Sequence, residues 1–294
     1  MKTTCPEIAA SIGGARGDFR TQDLLAARIT LFAVDPMHPY PLGTVAPAQA
    51  ATRFAALLGE ALALDADLLR LRYLPPDALY GAGAPDLPAG SRIVPHRSSR
   101  VDVSGGWAPS RLGRNARKSL RRRTRALEAL GPVRCEELID PAQRSAACKR
   151  MLHWKRDWLN RRLKIAVGFR DPVFQTFFRT TFAQGDPAGY RLFALTVNGT
   201  PVAYQACLQD NTRLLSVISS FDNAHRRFAP GHLLTAAILE RSRALRFDSY
   251  DMLPPASDYK HSLATDSDPC FEVIVPRTRL GRALLRLAGA LGRA

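Results

Sequence analysis

Between Arg226 and Leu233 the chain reads Arg-Arg-Phe-Ala-Pro-Gly-His-Leu, residue types that suit the binding of phosphate. A strand feeding a helix through a Gly-containing turn leaves backbone N–H groups at the helix start without intrahelical partners, and the helix dipole favours an anion there. Gly231, His232 and Leu233 open such a helix. Arg226 and Arg227 stand just upstream, where guanidinium groups add charge-assisted contacts to phosphate oxygens. A Pro-Gly helix start is also a common structural device, so the run by itself is only a weak match to a phosphate-binding loop. No H-E-x-x-H or comparable metal spacing occurs; His153 reads as a surface or core histidine, and no metal is expected.

The elements that must position this run follow from local pattern. Arg191–Val197 is strand-like, Asn198-Gly199 is a two-residue hairpin signal, and Pro201–Leu208 returns as its partner. Asp210-Asn211 turns the chain again into a third strand, Arg213–Phe221, before the helix from Pro230 to about Leu245 and a strand at 246–253. Upstream, three helices are expected. Arg111–Arg125 carries the densest charge of the chain, with Leu112, Ala116, Leu120 and Leu127 as an apolar stripe, and Gly131-Pro132 terminates it. The second is Pro141–Lys164, with Cys148, Leu152, Trp154, Trp158 and Leu159. Phe174, Phe177, Phe178 and Phe182 give the third, Phe169–Ala183, an aromatic core face.

Toward the N-terminus, residues 1–20 read as a lead-in, Ala26–Val34 as a strand stopped by the proline-rich 35–41, Pro47–Leu64 as a helix and Leu68–Leu74 as a strand. Residues 81–110, rich in Gly, Pro and Ser, form a boundary. The last segment sets Leu280, Leu284, Leu287 and Leu291 on one face with Arg282 and Arg286 off it, a basic amphipathic helix able to lie on an anionic membrane or to dock on its own domain.

Composition narrows the class. A chain of 294 residues with 46% hydrophobic and 23% charged residues can bury a sizeable core, and no apolar run is long enough to span a membrane. Five widely spaced cysteines, none in a C-x-x-C pair, fit reduced thiols, and the N-terminus lacks the apolar core of a secretory signal; a cytoplasmic protein, at most peripheral to the inner membrane face, is expected. The net charge of +16 points to polyanionic partners. Arg111–Arg125 offers a landing site for RNA, phospholipid or a phosphorylated donor, or simply a solvated helix face.

Taken whole, residues 110–262 resemble the GNAT-like domain of the cellulose-biosynthesis acetyltransferase (CelD/BcsL-type) family. The resemblance rests on Val197-Asn-Gly-Thr-Pro-Val-Ala203, Phe221-Asp222, Ala229-Pro-Gly-His-Leu-Leu234, Tyr250-Asp251 and Tyr259-Lys260. It implies a mixed α/β (α+β) protein of GNAT-like acyl-CoA N-acyltransferase fold: a shortened, degenerate first half at 21–105, an acyltransferase domain at 106–275 and a basic helix at 276–294. Two parallel strands, 213–221 and 246–253, would part to admit the pantetheine arm of acetyl-CoA, with a backbone N–H of the first polarising the thioester carbonyl. Ser219, Arg226, Arg227, Gly231, His232 and Leu233 would contact that co-substrate. Because an amine attacks directly, the resemblance also asks for a base and an acid. Asp222 and Asp251 are the candidate bases, each equally readable as a cap or turn residue, and Tyr259 is the candidate acid. Lys260 would hold a phosphate or acidic acceptor, unless it is a surface lysine. Pro255 departs from the family pattern, standing where glycine is usual.

The function implied is transfer of an acyl group, acetyl first, from coenzyme A to an amine or hydroxyl, on a saccharide or envelope precursor. Two rivals remain open at this level: a Fem-like transferase drawing aminoacyl groups from charged tRNA, for which the basic helix suits, and a non-catalytic adaptor binding membrane or nucleic acid.

Overall fold

The computed structural model describes residues 18–24, 27–33, 40, 42, 46–162, 169, 172–184, 189–254 and 256–290. In chain order the elements are β1 Asp18–Leu24, β2 Ala27–Ala33, α1 Pro47–Ala63, β3 Leu68–Leu74, α2 Pro76–Tyr80, β4 Arg92–Arg97, β5 Arg100–Asp102, α3 Arg114–Glu128 and β6 Val133–Glu137. They continue with α4 Pro141–Arg161, α5 Pro172–Gln184, β7 Tyr190–Val197, β8 Thr200–Asp210, β9 Arg213–Phe221 and a 3-10 turn Asn223–Phe228. The chain ends with α6 Pro230–Glu240, α7 Ser242–Leu245, β10 Ser249–Asp251, α8 Asp258–His261, β11 Pro269–Pro276 and α9 Arg279–Ala290. The protein is mixed α/β, and its elements divide into two compact units, Met1–Ser98 with Asp268–Ala294, and Ser99–Ser267.

The first unit holds a five-stranded sheet in the order β1-β2-β3-β11-β4, with β2 and β3 parallel and the other pairs antiparallel. Phe54, Leu57, Leu58 and Ala61 recur at helical spacing on α1 and bury against Leu69, Leu71, Val273 and Val275, the alternate residues of β3 and β11. The opposite register is polar: Arg70, Arg72 and His96 converge on the buried Glu272 carboxylate. Burial alone would raise that carboxyl, but the two guanidiniums outweigh it and hold Glu272 below its ordinary range. Helix α9 is tied at its start to this unit, with the Arg277 N–H on the Asp67 carbonyl at 2.9 Å and the Thr278 hydroxyl on the Asp67 carboxylate.

The second unit is built on a six-stranded sheet, β5-β10-β9-β8-β7-β6, in which only β9 and β10 run parallel. The Asn198-Gly199 turn has both residues at positive φ (50° and 74°), which matches the twist of the β7–β8 hairpin. On one face Phe193, Leu195 and Val197 of β7 share a core with Leu233, Leu234 and Ile238 of α6 and Leu127 of α3. On the other, Trp154 of α4 packs on Tyr204 of β8, and Phe182 of α5 on Tyr190 of β7. The buried Arg144 guanidinium ties this face together by donating to the carbonyls of Leu138, Phe182 and Tyr190 at 2.6–3.0 Å.

The compact units divide at 98/99 and 267/268, because β5 pairs with β10 while β11 inserts between β3 and β4. Several expectations for single elements are corrected. Strand β1 begins inside the expected lead-in, whose residues 1–17 lie outside those described. The helix expected to 245 breaks at Arg241, and Arg246 then adopts φ 57°. The expected strand 246–253 contracts to three residues, since Leu253 sits at φ 61° and turns the chain away. Residues 35–39 and 41 of the proline-rich stop, the Phe177 side chain, Pro255 and Leu291 lie outside the described residues.

Candidate active site

The second unit's sheet opens where its two parallel strands meet. Strands β9 and β10 pair over Arg213/Ser249, Leu214/Tyr250 and Leu215/Asp251, after which β10 ends while β9 runs on to Phe221. The Met252 N–H turns to the Ser99 carbonyl, on the β5 side. The edge of β9 from Ser216 onward therefore faces a gap. Its polarity follows from register. The Asp222 N–H bonds the Val202 carbonyl at 2.9 Å, which makes 202/222 a hydrogen-bonded antiparallel pair. By alternation 204/220 and 206/218 are the same kind, and 205/219 and 203/221 are not. Ser219 and Phe221 thus turn their N–H and C=O groups away from β8 and into the gap. The Ser219 carbonyl confirms this, since it accepts from Lys155 Nζ of α4 at 3.2 Å.

Around this edge gather the residues with chemistry. Gly231 stands against β9 so closely that a Cβ there would lie 3.3 Å from Ser219 Oγ and 3.8 Å from the Phe221 ring. The His232 ring packs at a tilt on Tyr259 of α8, with centroids 4.7 Å apart and planes inclined at 37°. Burial, reinforced by Arg123 of α3, lowers the His232 imidazole from its ordinary value, which favours its uncharged form. Burial also raises the Tyr259 phenol, although 38% of that residue's surface is exposed. Lys260 donates to the Leu253 carbonyl at 2.6 Å, and burial lowers its pKa to about 8, with nearby Asp251 opposing the shift and Lys155 adding to it. Lys155 is lowered as well, by burial, beneath the rings of Trp158 and Phe169 at 5.1 and 5.8 Å.

The two carboxylates are differently placed. Asp251 has no exposed side-chain surface; one oxygen pairs with Arg213 and the other accepts the Leu253 N–H at 2.7 Å. Asp222 caps the 3-10 turn, accepting the Ala224 N–H at 2.9 Å and facing His225 Nδ1 at 3.3 Å. Both thus hold the turns that frame the gap.

The phosphate-directed run is partly self-satisfied. The N–H groups of His232 and Leu233 bond the Ala229 carbonyl, the Ala229 N–H bonds the Arg226 carbonyl, and Pro230 has none to offer. The Gly231 N–H is left as the donor at the start of α6. The Leu233 side chain belongs to the core, whereas Arg226 and Arg227 are exposed. Helix α3 packs against this turn and against α6. It carries seven basic residues and one acid, and Arg114/Lys118, Arg117/Arg121, Lys118/Arg122 and Arg121/Arg125 are like-charged pairs one turn apart. Such pairs destabilise a helix, so this face is built at a cost in stability. Among the described residues no His/Cys/Asp/Glu cluster suited to a metal occurs, the cysteines are free thiols, and no helix is long and apolar enough to cross a membrane.

Sequence reasoning brought Ser219, Gly231, His232, Tyr259 and Lys260 to this gap but gave Lys155 no role. The available signal was composition: only six of the 42 basic residues are lysines, and one of them falls among the aromatic residues of α4.

Comparison with known proteins agrees with this architecture. The L-PGS structure from Bacillus licheniformis superposes with a TM-score of 0.55 at 13% identity, covering 97% of this chain and 89% of that one. The FemX structure gives 0.53 at 10% identity, covering 95% and 88%. At these identities the likeness is one of fold, and it is a GNAT-like fold. No curated protein sequence matches the chain significantly. The family model for the acetyltransferase (GNAT) domain matches residues 114–261, half of the chain, from the start of α3 through α8 and so across the whole gap. The parted strands and this match together establish that the chain belongs to the GNAT acetyltransferase domain family.

Proposed function

We propose that the protein transfers an acyl group, acetyl first, from a coenzyme A thioester to an amine or hydroxyl acceptor, with the reacting carbonyl held against the gap edge of β9. The observation that carries this reading is the parting of β9 from β10 after three residue pairs, with Ser219 turned into the opening. A thioester laid along that edge meets the Ser219 N–H, a preorganised donor for the oxygen that gains charge as the carbonyl is attacked. Lys260 and Lys155 add positive charge nearby, and Lys260, its pKa lowered to about 8, is able to exchange protons near neutrality. His232, whose uncharged form burial favours, is suited to take a proton from the acceptor, and Tyr259, packed on it, to return one to the departing thiolate. Arg226, Arg227 and the Gly231 N–H offer contacts for the donor's phosphates. The acceptor fits the resemblance to cellulose-biosynthesis acetyltransferases, as a group on a saccharide or envelope precursor.

One observation favours a second reading. The turn before α6 spends most of its N–H groups internally, while α3 presents far more positive charge than one coenzyme needs. A Fem-like transferase drawing its acyl group from charged tRNA would use that face. Calorimetric titration with acetyl-CoA, and in parallel with charged and uncharged tRNA, separates the two. Saturable micromolar binding of acetyl-CoA is expected. Binding of charged tRNA alone would move the donor to the second class.

A further inference from the structure

We propose that Lys155 is itself an acyl acceptor, so that the protein acylates its own gap. This rests on the coenzyme A reading given above. Lys155 Nζ sits on the Ser219 carbonyl at 3.2 Å, and in an extended strand the N–H and C=O of one residue point to the same side. A thioester oxygen on the Ser219 N–H therefore brings its carbon next to an amine already resident on the same residue. Proximity of that kind is what accelerates acyl transfer within a complex.

Three further features single out this amine. Among the described residues no carboxylate pairs with Lys155, and its contacts are the Ser219 carbonyl and the Trp158 and Phe169 rings. The chain uses arginine for 36 of its 42 basic residues, yet places lysine here and at 260. Arginine cannot lose its proton in a protein, whereas a half-buried lysine can. Lys260, by contrast, is held on the Leu253 carbonyl, beyond the end of β10.

The step balances without a further reagent. The Lys155 ammonium first gives a proton to solvent. Neutral Nζ then attacks the carbonyl carbon, an N–C bond forms and the C–S bond breaks. The electron pair leaves on the coenzyme A sulfur, which takes the proton shed by the new amide nitrogen. The products are an acyl-Lys155 amide and the free thiol. An amide is not a donor for onward transfer, so the acyl chain stays in the gap, removes one positive charge and obstructs the next thioester. The modification is self-limiting.

The test is incubation of the full chain with acetyl-CoA, followed by intact mass and peptide mapping, with calorimetric binding run in parallel. The expected result is incorporation approaching one acetyl group per chain at Lys155, at least about tenfold faster than at the exposed Lys118 and Lys149, a preference lost in urea-unfolded protein. The Lys155→Arg variant keeps the charge and should fold with an unchanged Tm while losing that label. Saturable acetyl-CoA binding without label at Lys155, or label spread evenly over Lys118, Lys149 and Lys260, would overturn the proposal and leave the coenzyme A reading intact. Neither binding nor label would remove that reading and the proposal together.

Discussion

Asp251→Asn separates a structural carboxylate from a catalytic one. The Asp251 side chain has no exposed surface, and its partner Arg213 keeps 29% of its own. Removing one member of a buried ion pair costs about 3–5 kcal/mol, chiefly because the remaining charge is stranded. Here water reaches part of the Arg213 guanidinium, and Asn still accepts the Leu253 N–H, so the loss should be smaller, about 2–3 kcal/mol. For a unit the size of Ser99–Ser267 each kcal/mol is worth roughly 2–4 °C, giving a fall in Tm of about 5–10 °C. Asp251→Ala should be worse by about 1–3 kcal/mol, because the Leu253 N–H then loses its acceptor inside the fold. The assay is thermal unfolding followed by near-UV circular dichroism, with acyl transfer measured well below the lower Tm. An unchanged Tm in Asp251→Asn together with a loss of turnover of several orders of magnitude would refute this reasoning and return Asp251 to the chemistry.

Three other outcomes are expected. Because the folded-state pKa of Lys260 is lowered from 10.5 to about 8, the unfolded chain holds a proton that the folded chain lacks between those values; stability should rise with pH across that window, and Lys260→Met should flatten the rise in a Tm-versus-pH series. Gly231→Ala introduces a Cβ 3.3 Å from Ser219 Oγ, so Tm should move little while acetyl-CoA affinity falls by about tenfold, or ~1.4 kcal/mol, on titration. If the donor is tRNA, replacing Arg121, Arg122 and Arg123 with Ala should lower the slope of log affinity against log salt by about 2–3, whereas acetyl-CoA binding should keep its shallow salt dependence.

How much of this was legible beforehand varies by element. The β7–β8–β9 meander and the start of α6 were readable because Asn198-Gly199 and Pro230-Gly231 are strong local signals. Strands β4, β5 and β11 were not read, since edge strands of three or six residues and a late strand in a proline-flanked segment carry little periodicity of their own. What makes them strands is tertiary pairing. The gap was foreseen in outline through the resemblance to GNAT acetyltransferases, but its polarity was not: which N–H and C=O groups face inward depends on the 202/222 register, and no local pattern encodes that. Lys155 lies 64 residues from Ser219, and only the packing of α4 on β9 brings them together.

The insertion of β11 between β3 and β4 carries a consequence for how the chain is made. Arg70 and Glu272, partners in the first unit, are 202 residues apart, so the first sheet stays incomplete until the final strand has left the ribosome. The second unit is contiguous and is able to form earlier, from the chain already emerged. Once it has folded, the Arg100 N–H bonds the Asp266 carbonyl at 3.0 Å, so that its entry and exit strands lie side by side. The next bond outward, Ser98 N–H to Asp268 carbonyl at 2.9 Å, then joins residues already adjacent. A separation of two hundred residues becomes a near-neighbour closure, and the entropy of bringing the distant ends together has been met by the folding of what lies between them.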